Sequence, residues 1–241
     1  MALTPADFAD LPLAGRTALA VDVLRATTAA VAACEAGCRR VVPVPDQAAA
    51  ESRAARDGAD TILAGERGGE AIAGFHLGNS PDDFTRERVA GRTVVLTTTN
   101  GTAAMLTASA ATSAGLAALT NVTAAAGWAL GEGRDVSILC AGDNGAFSLE
   151  DAVCAGLLVA RLAEAAPGTT LWGGAAAALG LARHYGPQLG RIAEDSSWAR
   201  KLRRLGRGAD VACCLRADTS RVVPVFAAGG FEPRRSAEAG A

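Results

Sequence analysis

Two segments of the chain place an acid close to a base where an apolar run ends. Asp22 precedes Arg25 by three positions, and Glu66 stands directly before Arg67 and two glycines. Carboxylate oxygens are ligands that Mg²⁺ prefers, and a guanidinium binds phosphate or another oxyanion. A capping aspartate with a surface arginine explains the first pair equally well. The four side chains are therefore candidates for metal and anion binding, with local capping as the alternative.

Three further apolar runs end in short polar residues that precede a helix-forming stretch. The segments are GNSP (78–81), TTTNGT (97–102) and CAGDNGAFSLED (140–151). Free N–H groups at the start of a helix bind anions. We therefore expect contacts to an anionic substrate from these residues: Arg67, Asn79, Ser80, Thr98, Thr99, Asn100, Gly101, Thr102 and Ser148. Helix capping by Ser80 and Ser148 would explain part of the pattern without a ligand.

Five strand ends with one shared chemistry indicate phosphoryl transfer from a small acid, assisted by Mg²⁺. The predicted catalytic residues are Asp22, Arg25, Glu66 and Asp151, and the three acids among them are the predicted metal ligands. Water activated by the metal is the simplest nucleophile, and a phospho-aspartate on Asp22 is the alternative. The chain has no GxxxxGK loop and no dinucleotide fingerprint after its first strand. A nucleotide-binding protein is therefore the weakest of the functional alternatives.

Short β-branched runs alternate with alanine-rich helical runs, and this predicts where the candidate residues lie. Strands are predicted at 17–23, 39–44, 61–65, 92–98, 114–119, 135–140 and 221–226. Helices are predicted at 26–37, 46–57 and 148–165, with another beginning near residue 100. The alternation is typical of a layered α/β/α fold with a largely parallel or mixed sheet. We expect one domain over residues 1–228, formed as one body or as two lobes, then a flexible tail at 229–241. Ligands are expected at the carboxyl ends of the strands.

The composition excludes several classes of protein. Lys and Arg number 23 against 25 Asp and Glu, so the formal net charge is −2 and nucleic acid is not an expected partner. No apolar stretch is long enough to cross a membrane, and residues 1–16 lack the pattern of a signal peptide. Six cysteines occur without a CxxC pair, so neither a zinc site nor a disulfide framework is expected. These features favour a cytoplasmic protein.

Four motifs stand in a specific order: VDVLRATT, GER followed by GFHLGNSP, TTTNGT, and CAGDNGAFSLED. Together they resemble the 2-phosphosulfolactate phosphatase (ComB) family, most strongly over residues 18–156. The resemblance implies a Mg²⁺-dependent phosphoric monoester hydrolase of α/β fold that works as a homodimer. Its reaction would convert 2-phosphosulfolactate to (R)-3-sulfolactate and phosphate, on a route to coenzyme M or sulfolactate. A substrate with phosphate, carboxylate and sulfonate groups suits several anion-binding strand ends.

Two residues depart from the pattern that the family leads us to expect. His76 stands where an acidic residue is expected, and Trp198 stands where a histidine is expected in the C-terminal half. A paralogue that hydrolyses another phosphorylated acid, or a protein that binds a small anion without catalysis, would show such changes. We expect Trp198 to serve in packing rather than in catalysis.

Overall fold

A computed structural model of the chain describes residues 1–235. Within these residues, nine strands form one mixed sheet in the order β4-β3-β5-β2-β9-β8-β6-β1-β7. The strands are β1 (Thr17–Val21), β2 (Arg40–Pro43), β3 (Thr61–Arg67), β4 (Glu70–Ala71), β5 (Thr93–Thr97), β6 (Ser113–Ala117), β7 (Val136–Cys140), β8 (Val222–Ala227) and β9 (Gly230–Arg235).

The sheet consists of two parallel blocks. One block contains β3, β5 and β2, and the other contains β6, β1 and β7. The antiparallel hairpin β8–β9 lies between them. It pairs with the first block through Val41 and Phe231 and with the second through Gly115 and Val225. The chain crosses from one block to the other between β1 and β2, so the strand order reverses at the carboxyl end of β1. Ligands of α/β proteins bind at such a reversal.

Helices cover both faces of the sheet. They are α1 (Ala26–Glu35), α2 (Gln47–Asp57), α3 (Arg86–Val89), α4 (Gly101–Ala108), α5 (Val122–Gly131), α6 (Leu149–Ala165), α7 (Gly174–Tyr185), α8 (Ile192–Asp195), α9 (Ser197–Arg204) and α10 (Gly208–Cys214). In β1, Ala18 and Ala20 belong to the core on the side of α1 and α4, whereas Leu19 and Val21 belong to the core on the side of α5 and α6. The small alanines let α4 approach β1 closely, and this brings the start of α4 to the end of β1.

The layered α/β fold with a mixed sheet is confirmed, and the predicted strands are present with ends that differ by a few residues. The tail expected from residue 229 differs, because Gly230–Arg235 form β9 in the middle of the sheet. Phe231 is completely buried there, which gives this polar segment its anchor. Residues 236–241 of the expected tail lie outside the described residues. None of the helices within residues 1–235 has the length and apolarity needed to cross a membrane.

Candidate active site

Asp22 directly follows β1, and the pKa of its carboxyl group is raised. Its side chain is buried, and its Oδ1 accepts a hydrogen bond of 3.1 Å from the N–H of Ala26. Burial raises its pKa from 3.8 to about 7; the charges of Glu66 and Glu150 act in the same direction, while the Ala26 N–H and Arg25 oppose the rise. The carboxyl group is therefore partly protonated near neutral pH.

The first residue of α4 lies directly against this carboxyl group. A Cβ built on Gly101 would stand 2.4 Å from Oδ2 of Asp22 and 2.3 Å from the Cβ of Ala26. Only glycine allows this approach, since real Cβ atoms do not come so close to other atoms. The N-terminus of α4, where N–H groups point outward with a partial positive charge, thus meets the free oxygen of Asp22.

Glu66, at the end of β3, joins two loops of the neighbouring block. Its Oε2 accepts from the N–H of Gly69 and its Oε1 from the N–H of Thr99, both at 2.7 Å. The first bond closes the turn between β3 and β4, and the second ties that turn to the loop between β5 and α4. The buried Glu66 therefore holds two of the predicted substrate loops together.

Asp151, in the first turn of α6, joins two loops of the other block, those after β1 and β7. Its Oδ1 accepts from the N–H of Val23 at 2.8 Å and its Oδ2 from the N–H of Gly142 at 3.1 Å. Burial raises the pKa of Asp151 well above its ordinary value, and the charges of Asp22 and Glu150 add to the rise. Ser148 caps α6, because its Oγ accepts from the Asp151 N–H at 3.3 Å.

Glu150 is a buried acid that the sequence analysis left out of the site. Its Oε2 has no hydrogen-bond partner within residues 1–235, and burial raises its pKa against the effect of hydrogen bonding by Ser196 and Ser148. Glu150 also raises the pKa of Asp22 and Asp151, so the three acids lie within electrostatic reach of one another. The sequence signal for this residue is the acidic pair Glu150–Asp151 at the start of α6, of which only Asp151 was predicted to belong to the site.

Arg25 lies in the same loop as Asp22, but it is already paired. Its Nη1 donates to Oδ2 of Asp210 at 2.5 Å, and its Nη2 donates to the carbonyl of Gly69 at 2.7 Å. The other oxygen of Asp210 accepts from the Oγ of Ser80 at 2.7 Å. All three side chains are buried. The predicted residues Arg25 and Ser80 therefore share one partner, Asp210, which the sequence did not reveal.

Arg67 is exposed beside the buried Glu66. Its Nη1 donates to the carbonyl of Glu66 at 2.7 Å, and its Nη2 donates to Oγ1 of Thr97 at 2.9 Å. These bonds hold the guanidinium against the ends of β3 and β5 and leave three of its five N–H groups for other acceptors. The position agrees with a role in binding an anionic substrate.

The hydroxyl groups of 97–102 mostly bond within the protein. Thr98 and Thr102 exchange hydrogen bonds, including one of 3.1 Å from the Thr102 N–H to Oγ1 of Thr98. Asn100 accepts from the N–H of Asn144 at 3.0 Å and does not cap α4 with its side chain. Asn79 is buried, and its Oδ1 has no partner among the described residues.

The two residues that depart from the expected family pattern lie against the scaffold. His76 accepts at Nδ1 from the N–H of Leu63, at 2.9 Å, on the edge of β3. Trp198 is buried, and its Nε1 donates to the carbonyl of Leu24 at 2.8 Å. Trp198 therefore packs against the loop that carries Arg25, as expected.

Within residues 1–235, no three His, Cys, Asp or Glu side chains converge into a ready metal site. The donor set nevertheless fits Mg²⁺, which usually takes one or two carboxylates and completes its shell with water and substrate oxygens. Asp22 Oδ2 and Glu150 Oε2 receive no hydrogen bond from the described residues. The neighbouring cation, Arg25, is paired with Asp210. Asp22, Glu150 and Asp151 are buried acids with raised pKa values, which indicates that their negative charges are poorly compensated. A bound divalent ion would supply the missing positive charge.

The family model described as 2-phosphosulpholactate phosphatase matches residues 3–229. A relative from Symbiobacterium thermophilum, named probable 2-phosphosulfolactate phosphatase, is 39% identical over 90% of this chain and 94% of its own length. Relatives of the same name from Deinococcus radiodurans and Thermotoga maritima are 41% and 36% identical, over 90% and 91% of this chain and 90% and 93% of their own lengths. The match includes every strand end of the site, and the chain belongs to the 2-phosphosulfolactate phosphatase family, whose members are phosphoric monoester hydrolases.

Proposed function

We propose that this enzyme hydrolyses 2-phosphosulfolactate to (R)-3-sulfolactate and phosphate. The observation that carries the proposal is the carboxyl group of Asp22, buried beside the N-terminus of α4 with a pKa of about 7. The helix N-terminus favours a phosphate group at this position, and the near-neutral carboxyl group can hold or release a proton during the reaction.

Mg²⁺ is the proposed cofactor. Asp22 and Glu150 have free oxygens for it, and Glu66 and Asp151 keep lone pairs beyond the N–H bonds that they accept. Bound Mg²⁺ would neutralise charge on the phosphoryl oxygens. Glu66 and Asp151 have a second task that needs no metal, because each fixes the backbone of two loops around the substrate.

The cations of the site suit the acidic groups of the substrate. Arg67 is exposed with three N–H groups free, and Arg25 uses two of its five N–H groups for Asp210 and Gly69. We assign the phosphate to the start of α4 and the carboxylate or sulfonate to the two arginines. The unpartnered Oδ1 of Asn79 is available to a donor on the substrate or to an ordered water.

Phosphate release from a panel of phosphorylated hydroxy acids, with and without Mg²⁺, tests the proposal. The panel contains 2-phosphosulfolactate, 2-phospholactate and phosphoglycolate, so that the contribution of the sulfonate is measured separately. We expect the highest kcat/KM for 2-phosphosulfolactate, a loss of at least about 10²-fold in Asp22→Asn, and no change in Asp57→Asn, which alters an exposed ion pair on α2. Binding of sulfolactate without release of phosphate from any member would contradict the proposal and favour a sensor of small anions.

The nucleophile is tested separately. Hydrolysis in ¹⁸O-water in a single turnover places the label in phosphate if water attacks phosphorus directly. Hydrolysis of a phospho-aspartate on Asp22 by water at phosphorus would place the same label in phosphate, but only this two-step route leaves phosphate on the protein for rapid acid quenching to trap. Either result is compatible with the pKa of about 7 for Asp22.

A homodimer in the cytoplasm, serving coenzyme M or sulfolactate metabolism without a nucleic-acid partner, completes the proposal. The side chain of Trp172 is 77% exposed beside a depression of about 650 Å³ lined by Leu130, Ile138 and Leu162. An exposed apolar surface of this kind suits contact with a second copy. Light scattering of the wild type should give twice the mass of one chain, and light scattering of Trp172→Glu should give the mass of a single chain. A monomeric wild-type protein at micromolar concentration would contradict the dimer.

A further inference from the structure

We propose that Asp210 is a positioning residue for the phosphatase reaction, and that it fixes the direction in which Arg25 presents its guanidinium to the substrate. The inference rests on the proposed function, in which Arg25 binds an acidic group of the substrate. Asp210 lies in α10, 185 residues after Arg25, and belongs to none of the motifs at the strand ends.

The contact geometry constrains Arg25 from two sides. Nη1 donates to Asp210 at 2.5 Å and Nη2 donates to the Gly69 carbonyl at 2.7 Å. The side chains of Arg25 and Asp210 are only 3% and 7% exposed. A planar guanidinium with two nitrogens bonded to different partners cannot rotate about its terminal bonds without breaking one of them. The remaining N–H groups are therefore held in one orientation.

Asp210 is itself fixed by a second hydrogen bond. Ser80 donates to its Oδ1 at 2.7 Å, so each carboxylate oxygen has a partner. Two separate parts of the chain thus meet at this carboxylate: the loop after β1 through Arg25, and the segment before Pro81 through Ser80. The turn after β3 joins them through the carbonyl of Gly69, which accepts from Arg25. A carboxylate that merely neutralised Arg25 would not need this placement.

The preceding helix α9 contacts the same loops through Trp198 and two leucines. Trp198 of α9 donates to the carbonyl of Leu24, and a Cβ on Gly69 would meet Leu202 and Leu205 at 3.3 and 3.1 Å. The segment α9–α10 therefore supports the backbone on both sides of Arg25, while Asp210 holds its charged end. Support of the backbone by the apolar residues of this segment is thus distinct from the orientation of the Arg25 guanidinium by Asp210.

Three substitutions of Asp210 test the proposal. Asp210→Asn keeps the shape and one acceptor, Asp210→Glu keeps the charge, and Asp210→Ala removes both. We expect kcat/KM for 2-phosphosulfolactate to fall roughly 10-fold in Asp210→Asn and roughly 10²-fold in Asp210→Ala, with partial recovery in Asp210→Glu. The inhibition constant of (R)-3-sulfolactate, which keeps the carboxylate and sulfonate assigned to the two arginines, should rise in the same order. Glu194→Gln, which removes an exposed ion pair with Arg203 in the same region, should change neither value.

A structural role alone would lower the melting temperature and leave kcat/KM and the inhibition constant of (R)-3-sulfolactate within twofold of the wild type in the folded variants. That result would overturn the proposal. The ¹⁵N–¹H signal of the Arg25 side chain gives a readout that needs no turnover: it should be protected from exchange in the wild type and in Glu194→Gln and lost in Asp210→Asn. If the wild type releases no phosphate, the proposed function fails, and this signal still decides whether Asp210 orients Arg25. If Asp210→Ala does not fold, the Asn and Glu variants decide the outcome.

Discussion

Replacement of Gly101 by alanine should separate the reaction site from the general stability of the fold. The new Cβ would lie 2.3 Å from the Cβ of Ala26 and 2.4 Å from Oδ2 of Asp22. Carbon atoms in contact settle at about 3.5–4.0 Å. The start of α4 or the loop that carries Asp22 must therefore move by about 1 Å.

A shift of this size should affect both stability and rate. Overpacking of a filled site costs about 1–3 kcal/mol, which for a chain of this length lowers the melting temperature by about 2–10 °C. A displacement of 1 Å in catalytic geometry lowers kcat/KM by roughly 10²-fold. We expect both effects in Gly101→Ala, since the glycine touches the carboxyl group of Asp22 itself.

The matched control is Gly127→Ala. Gly127 is an exposed glycine inside α5, and a Cβ there would meet nothing within 4 Å. This change should raise the free energy of unfolding by about 0.5–1 kcal/mol and leave activity unaltered. Phosphate release is measured well below the melting temperature, so that unfolding does not contribute. If folded Gly101→Ala keeps kcat/KM within threefold of the wild type, the contact between Asp22 and α4 is not part of the reaction site.

Three further predictions concern Asp22 and Trp198. Because the pKa of Asp22 is about 7 in the folded chain against 3.8 as its ordinary value, the wild type gains stability from its protonation below about pH 4 and loses it as pH rises through 7. Urea unfolding without Mg²⁺ should therefore show Asp22→Asn more stable than the wild type at pH 8, by on the order of 4 kcal/mol, and equal to it at pH 4. Equal stability of the two proteins at both pH values would contradict the buried charge. Mg²⁺ should raise the melting temperature of the wild type more at pH 8 than at pH 5, because Asp22 is ionised only at the higher pH. Removal of the ion with EDTA should reverse the rise. An equal rise in Asp22→Asn would show that the ion binds elsewhere. Trp198→Phe leaves the carbonyl of Leu24 without its donor and should cost about 1–3 kcal/mol and lower activity. Glu194→Gln, which removes an exposed ion pair in the same region, should do neither. Thermal melts and phosphate assays distinguish these outcomes.

The alternation of strands and helices was predictable because each of the six parallel strands is a short apolar run that is buried over most of its length. The start of α6 was equally clear, since Ser148 stands three residues before the N–H that it accepts from. The carboxyl ends of β1 and β3 also supplied the right acids. The charge of Glu66 contributes to the raised pKa of Asp22, as expected from two acids at strand ends of one sheet.

The roles of individual oxygens were not predictable from the sequence. Glu66 and Asp151 each accept two backbone N–H bonds, and nothing in the residue types tells such an acid from one with free oxygens. The threonines at 98 and 102 bond to one another because the chain turns sharply between them. Asp210 was missed for a related reason: its partners lie far away in the chain, and no local pattern marks it.

The hairpin β8–β9 has a consequence for the order in which the enzyme becomes active. All six parallel strands are synthesised before Val222, yet the two blocks meet in the sheet only through this hairpin. Asp22 belongs to one block, whereas Glu66 and the strand that leads to Gly101 belong to the other. On the ribosome, a nascent chain therefore carries both halves of the site without their final alignment until the hairpin emerges. Pairing over such sequence distances is slow, so acquisition of phosphatase activity should follow completion of the hairpin and not the folding of either block.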